Sequence, residues 1–209
     1  MARGAVVKSE KLDLTAASLF FSDNAGTDIL ALQLNAREML IVNFLFDIVG
    51  TTDDIIWEVL SGARISNGNT FDADSSDNTH ADLDTAADGG AIIDEFNGDY
   101  LVVTAGTATN QARLITDFET ATNDRVTITP SWTTDTDLGD TYDIYSLGIY
   151  QTGKMDVSVL TATPTVDLFH RTPPIKLMGP EFFLFRAKGG ATDAHNAWVV
   201  TQKDGVSAT

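Results

Sequence analysis

Cysteine is absent from this chain of 209 residues. That excludes disulfides, thiol nucleophiles and Cys-ligated zinc. Basic residues are scarce: 13 Lys and Arg stand against 30 Asp and Glu, for a net charge of −17. A surface so anionic repels phosphate backbones, so direct nucleic-acid binding is not expected. Long apolar runs are missing too. The longest, Met39 to Val49, is broken by Asn43 and Asp47, and a membrane span needs roughly 20 apolar residues. The opening MARGAVVKSEKLDL has positive charge but no apolar core of signal-peptide length, so neither membrane insertion nor export is expected. Catalytic signatures are lacking as well. There is no Gly-x-Ser-x-Gly, no Ser-x-x-Lys in a suitable setting and no glycine-rich phosphate loop ahead of a helix. His80, His170 and His195 stand in no metal-binding spacing. The expectation is a protein that is not an enzyme and holds no cofactor.

What is present is strand signal. With 43% hydrophobic residues the chain can bury a core. Asp28 to Leu34 and Met39 to Ile48 are apolar almost throughout, and Ile55 to Leu60 is rich in β-branched and aromatic residues. Turn residues at 50–54 separate the last two, so 28–60 reads as consecutive antiparallel strands, the second covered on both faces. Further strands are expected over 99–104, 111–118, 125–129 and 142–150, and late ones over 181–188 and 197–203. Between Arg113 and Phe118, strict alternation places Leu114, Thr116 and Phe118 on one face and Arg113, Ile115 and Asp117 on the other. The fold class is all-β.

Charge divides the chain. Residues 1–63 carry a net of −5, residues 64–148 a net of −13 and residues 149–209 a net of +1. The expected organisation is a flexible N-terminal arm over 1–11, a β-sandwich built from 12–63 plus 149–209, and an acidic β-barrel or sandwich module inserted at 64–148. Within the module, 66–90 is rich in Asp, Asn, Ser, Thr and Gly and reads as a long surface loop. Its carboxylates Asp72, Asp74 and Asp77 have oxygen-ligand chemistry suited to hard cations. An EF-hand counted from Asp72 or from Asp82 fails, however, at the sixth and twelfth positions. A solvated acidic loop is the plainer reading.

The module contains a spaced pattern. Gly106-x-x-x-Asn110-Gln111-x-Arg113-x-Ile115 is followed by Val126-x-Ile128-x-Pro130-x-Trp132 and then by Gly139-Asp140-x-Tyr142-x-Ile144. Gln111 and Arg113, two apart on a strand, share a face. Arg113 offers a planar fork of donors for backbone carbonyls or for a carboxylate such as Asp117 or Asp143, and Trp132 and Tyr142 suit the closing of a small barrel. The alternative is that these residues line a contact with another subunit. The pattern resembles a β-module of tailed-bacteriophage virion proteins, in which a Gly-Gln-x-Arg-x-Ile strand precedes a Val-x-Pro strand and a Gly-Asp-x-Tyr closing strand. Here Asn110 stands where that family usually has glycine. About a fifth of the chain is covered.

The resemblance implies a virion structural protein, made in the host cytoplasm, and more narrowly a capsid decoration or cement protein. Its partners would then be the major capsid protein and further copies of itself, as a homotrimer. Capsid contact would fall to the arm residues Arg3, Lys8 and Lys11, and to Phe183 and Phe185 of an apolar strand that could equally be core. Two other readings stay open. One is a tail or head-fibre component. The other is a carbohydrate-binding β-sandwich, which would need Trp57, Trp132 or Trp198 as a stacking platform.

Overall fold

In a computed structural model the described residues are 6–12, 23–24, 28–29, 31–36, 38–48, 52, 54–73, 77–85, 92–120, 124–157, 168–189 and 195–203. They form fifteen strands. In chain order these are β1 (Val6–Leu12), β2 (Asp23–Asn24), β3 (Asp28–Ile29), β4 (Ala31–Gln33), β5 (Met39–Ile48), β6 (Ile55–Thr70), β7 (His80–Asp82), β8 (Tyr100–Ala105), β9 (Ala112–Glu119), β10 (Arg125–Thr129), β11 (Thr141–Met155), β12 (Leu168–Arg171), β13 (Ile175–Met178), β14 (Phe182–Lys188) and β15 (Asn196–Lys203). The registered pairs are antiparallel. The chain is all-β.

Two compact units divide it: Met1–Asn24, Leu30–Ser61 and Ile149–Thr209 form the first, Ala25–Ile29 and Gly62–Gly148 the second. The chain therefore leaves and re-enters the first unit inside β6 and β11.

In the first unit one sheet runs β1-β15-β5-β12, with β13 also paired to β5. β5 is its central strand. Even-numbered Leu40, Val42, Phe44, Phe46 and Ile48 are buried, while the odd positions, except buried Asn43, are half-buried. The strand thus has one sealed face, where two were expected. Strands β4, β14 and the start of β6 belong to another sheet. Phe44 of β5 stacks on Trp57 of β6 at 4.9 Å and meets Phe185 of β14 edge-on at 6.4 Å. These ring contacts join the two sheets in a common core with Val59, Ile175, Leu177, Phe183 and Val199. Glu58 and Arg186 form a largely buried ion pair, with Nε and Nη2 both donating to Oε2 at 2.8 and 2.6 Å.

Two expectations need correction here. Residues 28–60 are not consecutive paired strands: β5 pairs with β15, β12 and β13, and β4 with β14. The C-terminal strands β12, β13 and β15 take the places beside β5 that a hairpin partner would have filled. Residues 6–11, expected in a free arm, lie in β1 and pair with β15 from Val6↔Gln202 to Leu12↔Ala197.

In the second unit the sheet continues β6-β11-β8-β9-β10-β7. The segment after β6 folds back: Asp72 N donates to Asp82 O at 3.2 Å, and Phe71 exchanges backbone bonds with Asp140 and Gly139. The Asp72–Asp82 bond joins the segment after β6 to β7 at the far edge of the sheet, so the unit approaches a closed barrel with little free edge. Its core includes Phe71, Leu83, Phe96, Leu101, Ile115, Phe118, Val126, Ile128, Trp132 and Tyr142.

The stretch 66–90 is therefore not one loop. Its first residues extend β6, residues 80–82 form β7, and Phe71, Ala81 and Leu83 are buried. The alternation expected over β9 also breaks. Asp117 pairs with Thr127 but Ile115 with Ile128, so Thr116 is an extra residue. This bulge shifts the phase, and the buried set becomes Arg113, Ile115 and Phe118.

Candidate functional site

The residues of the spaced pattern converge in the second unit as two polar joints. The first centres on Asp140, which is 4% exposed. Its carboxylate accepts the backbone N–H groups of Thr107 at 2.8 Å, Ala108 at 3.0 Å and Asp137 at 3.2 Å. One carboxylate thus closes two turns, satisfying three donors that the turns leave unpaired. Gly106 opens the first turn at φ 107°, and a Cβ there would fall within the Asp140 carboxylate. Gly139 sits at φ 86°. Asn110, at φ 72°, ends the same turn. This left-handed position suits glycine, and asparagine is among the few other residues that tolerate it. In backbone terms Asn110 thus does here what a glycine would do.

The second joint is Gln111 with Arg113. Gln111 Nε2 donates to Ala108 O at 3.1 Å and to Thr134 O at 2.7 Å. Its Oε1 accepts Thr133 N at 2.7 Å and Arg113 Nη2 at 2.9 Å. Arg113 has no exposed surface. Its Nε donates to Ser131 O at 3.1 Å, Nη1 to Ala112 O at 3.0 Å and Nη2 also to Thr133 Oγ1 at 3.2 Å. The guanidinium carbon lies 5.4 Å from the centre of the Trp132 ring. Carbonyl dipoles and an aromatic face thus replace the water that the cation loses on burial. Trp132 in turn donates from Nε1 to His80 O at 2.9 Å, tying β7 to the loop after β10. Tyr142, fully buried, stacks on Phe71 at 4.6 Å and accepts Asp84 N at 2.9 Å.

Asp143, one of the carboxylates the sequence offered to Arg113, accepts Gly68 N at 2.6 Å, Arg64 Nη1 at 3.3 Å and Tyr145 Oη at 3.2 Å. Burial, together with this neighbouring charge, pushes the Tyr145 hydroxyl up to about 12. Asp82 and Arg125 form a bidentate pair at 2.7 and 3.1 Å. Neither Arg64 nor the Asp82–Arg125 pair stands out in the sequence as a structural contact. The signal for Arg64 and Arg125 was that they are two of the few bases in a strongly acidic stretch.

The acidic stretch spends its carboxylates locally. Asp72 Oδ2 accepts Thr85 N at 2.9 Å. Asp77 Oδ1 accepts the Thr79 backbone at 2.7 Å and hydroxyl at 2.5 Å, and lies 2.8 Å from His80 Nδ1. The Thr79 hydroxyl first, then its backbone N–H and His80, hold the Asp77 carboxyl down to about 2. Asp74 lies outside the described residues. Among the described residues no three His, Asp or Glu gather as a metal site.

The expected contact residues fare differently. Arg3 lies outside the described residues, as do the side chains of Lys8 and Lys11, whose backbone is in β1. Phe183 and Phe185 are 0% and 3% exposed and belong to the core, so they present no surface to a partner. Two of the tryptophans that a glycan platform could use are turned inward, Trp57 at 7% and Trp132 at 4% exposed, while Trp198 on β15 is half-buried. Exposed apolar surface lies elsewhere, at Ile149, Tyr150 and Met178 in the first unit and at Ile65, Ile92, Ile93 and Leu138 in the second.

No known protein family matches the chain, and no curated protein does. Among solved structures it is similar to VP17, a capsid protein of bacteriophage P23-77, over 97% of this chain and 99% of that one, at 9% identity and a TM-score of 0.16. A score of that size establishes no shared fold.

Proposed function

We propose that the chain is a non-enzymatic structural protein of a tailed-phage virion, and within it a decoration or cement protein of the head. The observation that carries this reading is the use made of Gly106, Gln111, Arg113, Trp132, Gly139, Asp140 and Tyr142. Every residue of the phage-like pattern is spent on internal bonds and packing of a small, nearly closed β-module. Such residues build a rigid body and leave no side chain poised for chemistry.

The first unit docks on the shell and the module with its net charge of −13 faces solvent. A stable contact needs on the order of 1,000 Å² or more in total. Phe183 and Phe185 supply none of it, so the exposed Ile149, Tyr150 and Met178 are its apolar contributors. Added interface across neighbouring capsid subunits raises the cost of shell rupture under packaged DNA. Clustering about a local symmetry axis makes a homotrimer the working assembly.

The test is co-sedimentation of the purified chain with shells of the cognate major capsid protein that lack it. Saturable binding at a stoichiometry set by capsid symmetry supports the reading. Failure to bind shells, with self-assembly into tubes or fibres, overturns it and moves the protein to the tail or a fibre.

A further inference from the structure

In the second unit the turn before β8 carries an Asn-Gly dipeptide, Asn97–Gly98. Asn-Gly is the dipeptide most prone to spontaneous deamidation, because glycine has no side chain to obstruct attack by its own backbone nitrogen. The reaction needs three things here: a deprotonated Gly98 nitrogen, freedom of that nitrogen to approach the Asn97 side-chain carbonyl carbon, and water. Asn97 is exposed, so water is at hand. The other two are withheld. Gly98 N donates to Ile115 O at 2.9 Å, a bond inside the fold that resists loss of the proton. Asn97 Nδ2 donates to Asp94 Oδ1 at 2.9 Å, and Asn97 N to Asp94 O at 3.1 Å, so the carboxamide is held toward Asp94. The turn itself is pinned at both ends by β9, through Asp94 N to Phe118 O at 3.2 Å and Ile115 N to Asp99 O at 2.8 Å. Phe96 anchors its middle, buried edge-on against Phe118 at 5.0 Å.

We propose that Asn97–Gly98 is a latent deamidation site, gated by opening of the 92–98 turn, and so a slow irreversible clock of the module's ageing. On opening, the Gly98 nitrogen loses its proton and bonds to the Asn97 side-chain carbonyl carbon. The bond from that carbon to Nδ2 breaks and ammonia leaves, giving a cyclic imide. Water then opens the imide at either carbonyl, leaving aspartate or isoaspartate at position 97, with no oxidant or reductant involved. Either product adds a negative charge beside Asp94, Glu95 and Asp99. The isoaspartate also lengthens the backbone by one carbon, which disturbs the register of the bonds that Gly98 and Asp99 make to Ile115 of β9. Modification therefore loosens the turn that had gated it.

The experiment follows the amide-to-acid mass change of the peptide containing position 97, in mildly alkaline buffer, for the folded full-length chain and for the chain unfolded in urea. Because a local opening of modest free energy suffices to slow such a reaction, the folded rate is expected to be about tenfold or more below the unfolded one. A second variant, Asp94→Gly, removes the carboxylate that holds Asn97 while suiting the positive φ of 68° at that position. It is expected to raise the folded rate severalfold and leave the unfolded rate unchanged. Equal rates in the folded and unfolded wild-type chain overturn the proposal. So does an unchanged folded rate in Asp94→Gly when its melting temperature shows that it is folded. If that variant unfolds, the wild-type pair of rates decides alone.

Discussion

The carboxylate of Asp140 occupies the space where a side chain on Gly106 would begin. The two residues are far apart in sequence, yet each explains the other. Asp140 closes the 106–110 turn only because Gly106 lets it approach, and Gly106 is required only because Asp140 is there.

Gly106→Ala must displace that carboxylate and adopt φ 107°. The expected loss is about 2–4 kcal/mol, from backbone strain and overpacking together. Asn110→Gly, at the other end of the turn, is expected to change stability by less than about 1 kcal/mol, because glycine accepts that conformation freely. Urea unfolding of both variants checks the contrast; equal effects would mean that the turn does not discriminate between its two ends.

Arg113→Lys keeps the charge and loses the fork. A lysine cannot reach Ser131 O, Ala112 O and Gln111 Oε1 together, so buried acceptors lose their donors. The expected cost is about 2–4 kcal/mol, close to that of Arg113→Met. Trp132 fluorescence is expected to shift in both variants, since the ring loses the guanidinium that lies over it. A lysine variant as stable as wild type would show that charge alone suffices.

Stability should fall at high pH through Tyr145. Its hydroxyl titrates at about 12 in the folded chain against 10.0 for the ordinary group. Between these values the folded state keeps a proton that the unfolded state has lost, so stability declines as pH rises through this window and is unaffected below it. Tyr145→Phe is expected to flatten that decline, measured by denaturant midpoints across the window. An unchanged slope would place the alkaline limb elsewhere.

Chelator is expected to leave the melting temperature unchanged, because Asp72 and Asp77 are already engaged by Thr85, Thr79 and His80. A sharp fall with chelator, reversed by Ca²⁺, would restore the acidic stretch as a cation site.

Several features were legible from residue type alone. The apolar runs at 39–48 and 55–60 are strands, Val126 and Ile128 alternate inward on β10, and the late runs are β14 and β15. That C-terminal strands would pair with strands of the 12–63 segment was legible too, but not which strand would pair with which. β5 and β6 adjoin in sequence but belong to different sheets, because packing against strands from the far end of the chain outweighs the short turn between them. The bulge at Thr116 carries no local sign, and it reverses which residues of β9 face inward. Nor did composition show that Phe71, Ala81 and Leu83 would draw part of a polar stretch into the core. At the joints, the residue type of Arg113 offered a fork for carbonyls or for a carboxylate, and the structure uses carbonyls. The Gly106–Asp140 fit depends on a three-dimensional approach that no spacing reveals.

The most direct test of the account is backbone hydrogen exchange of the full chain, free and bound to shells of the cognate major capsid protein. The account predicts new protection within the first unit, at residues 149–155 of β11 and along β13, and none over 64–148. Protection of the acidic module on binding, with β11 and β13 unchanged, would contradict it.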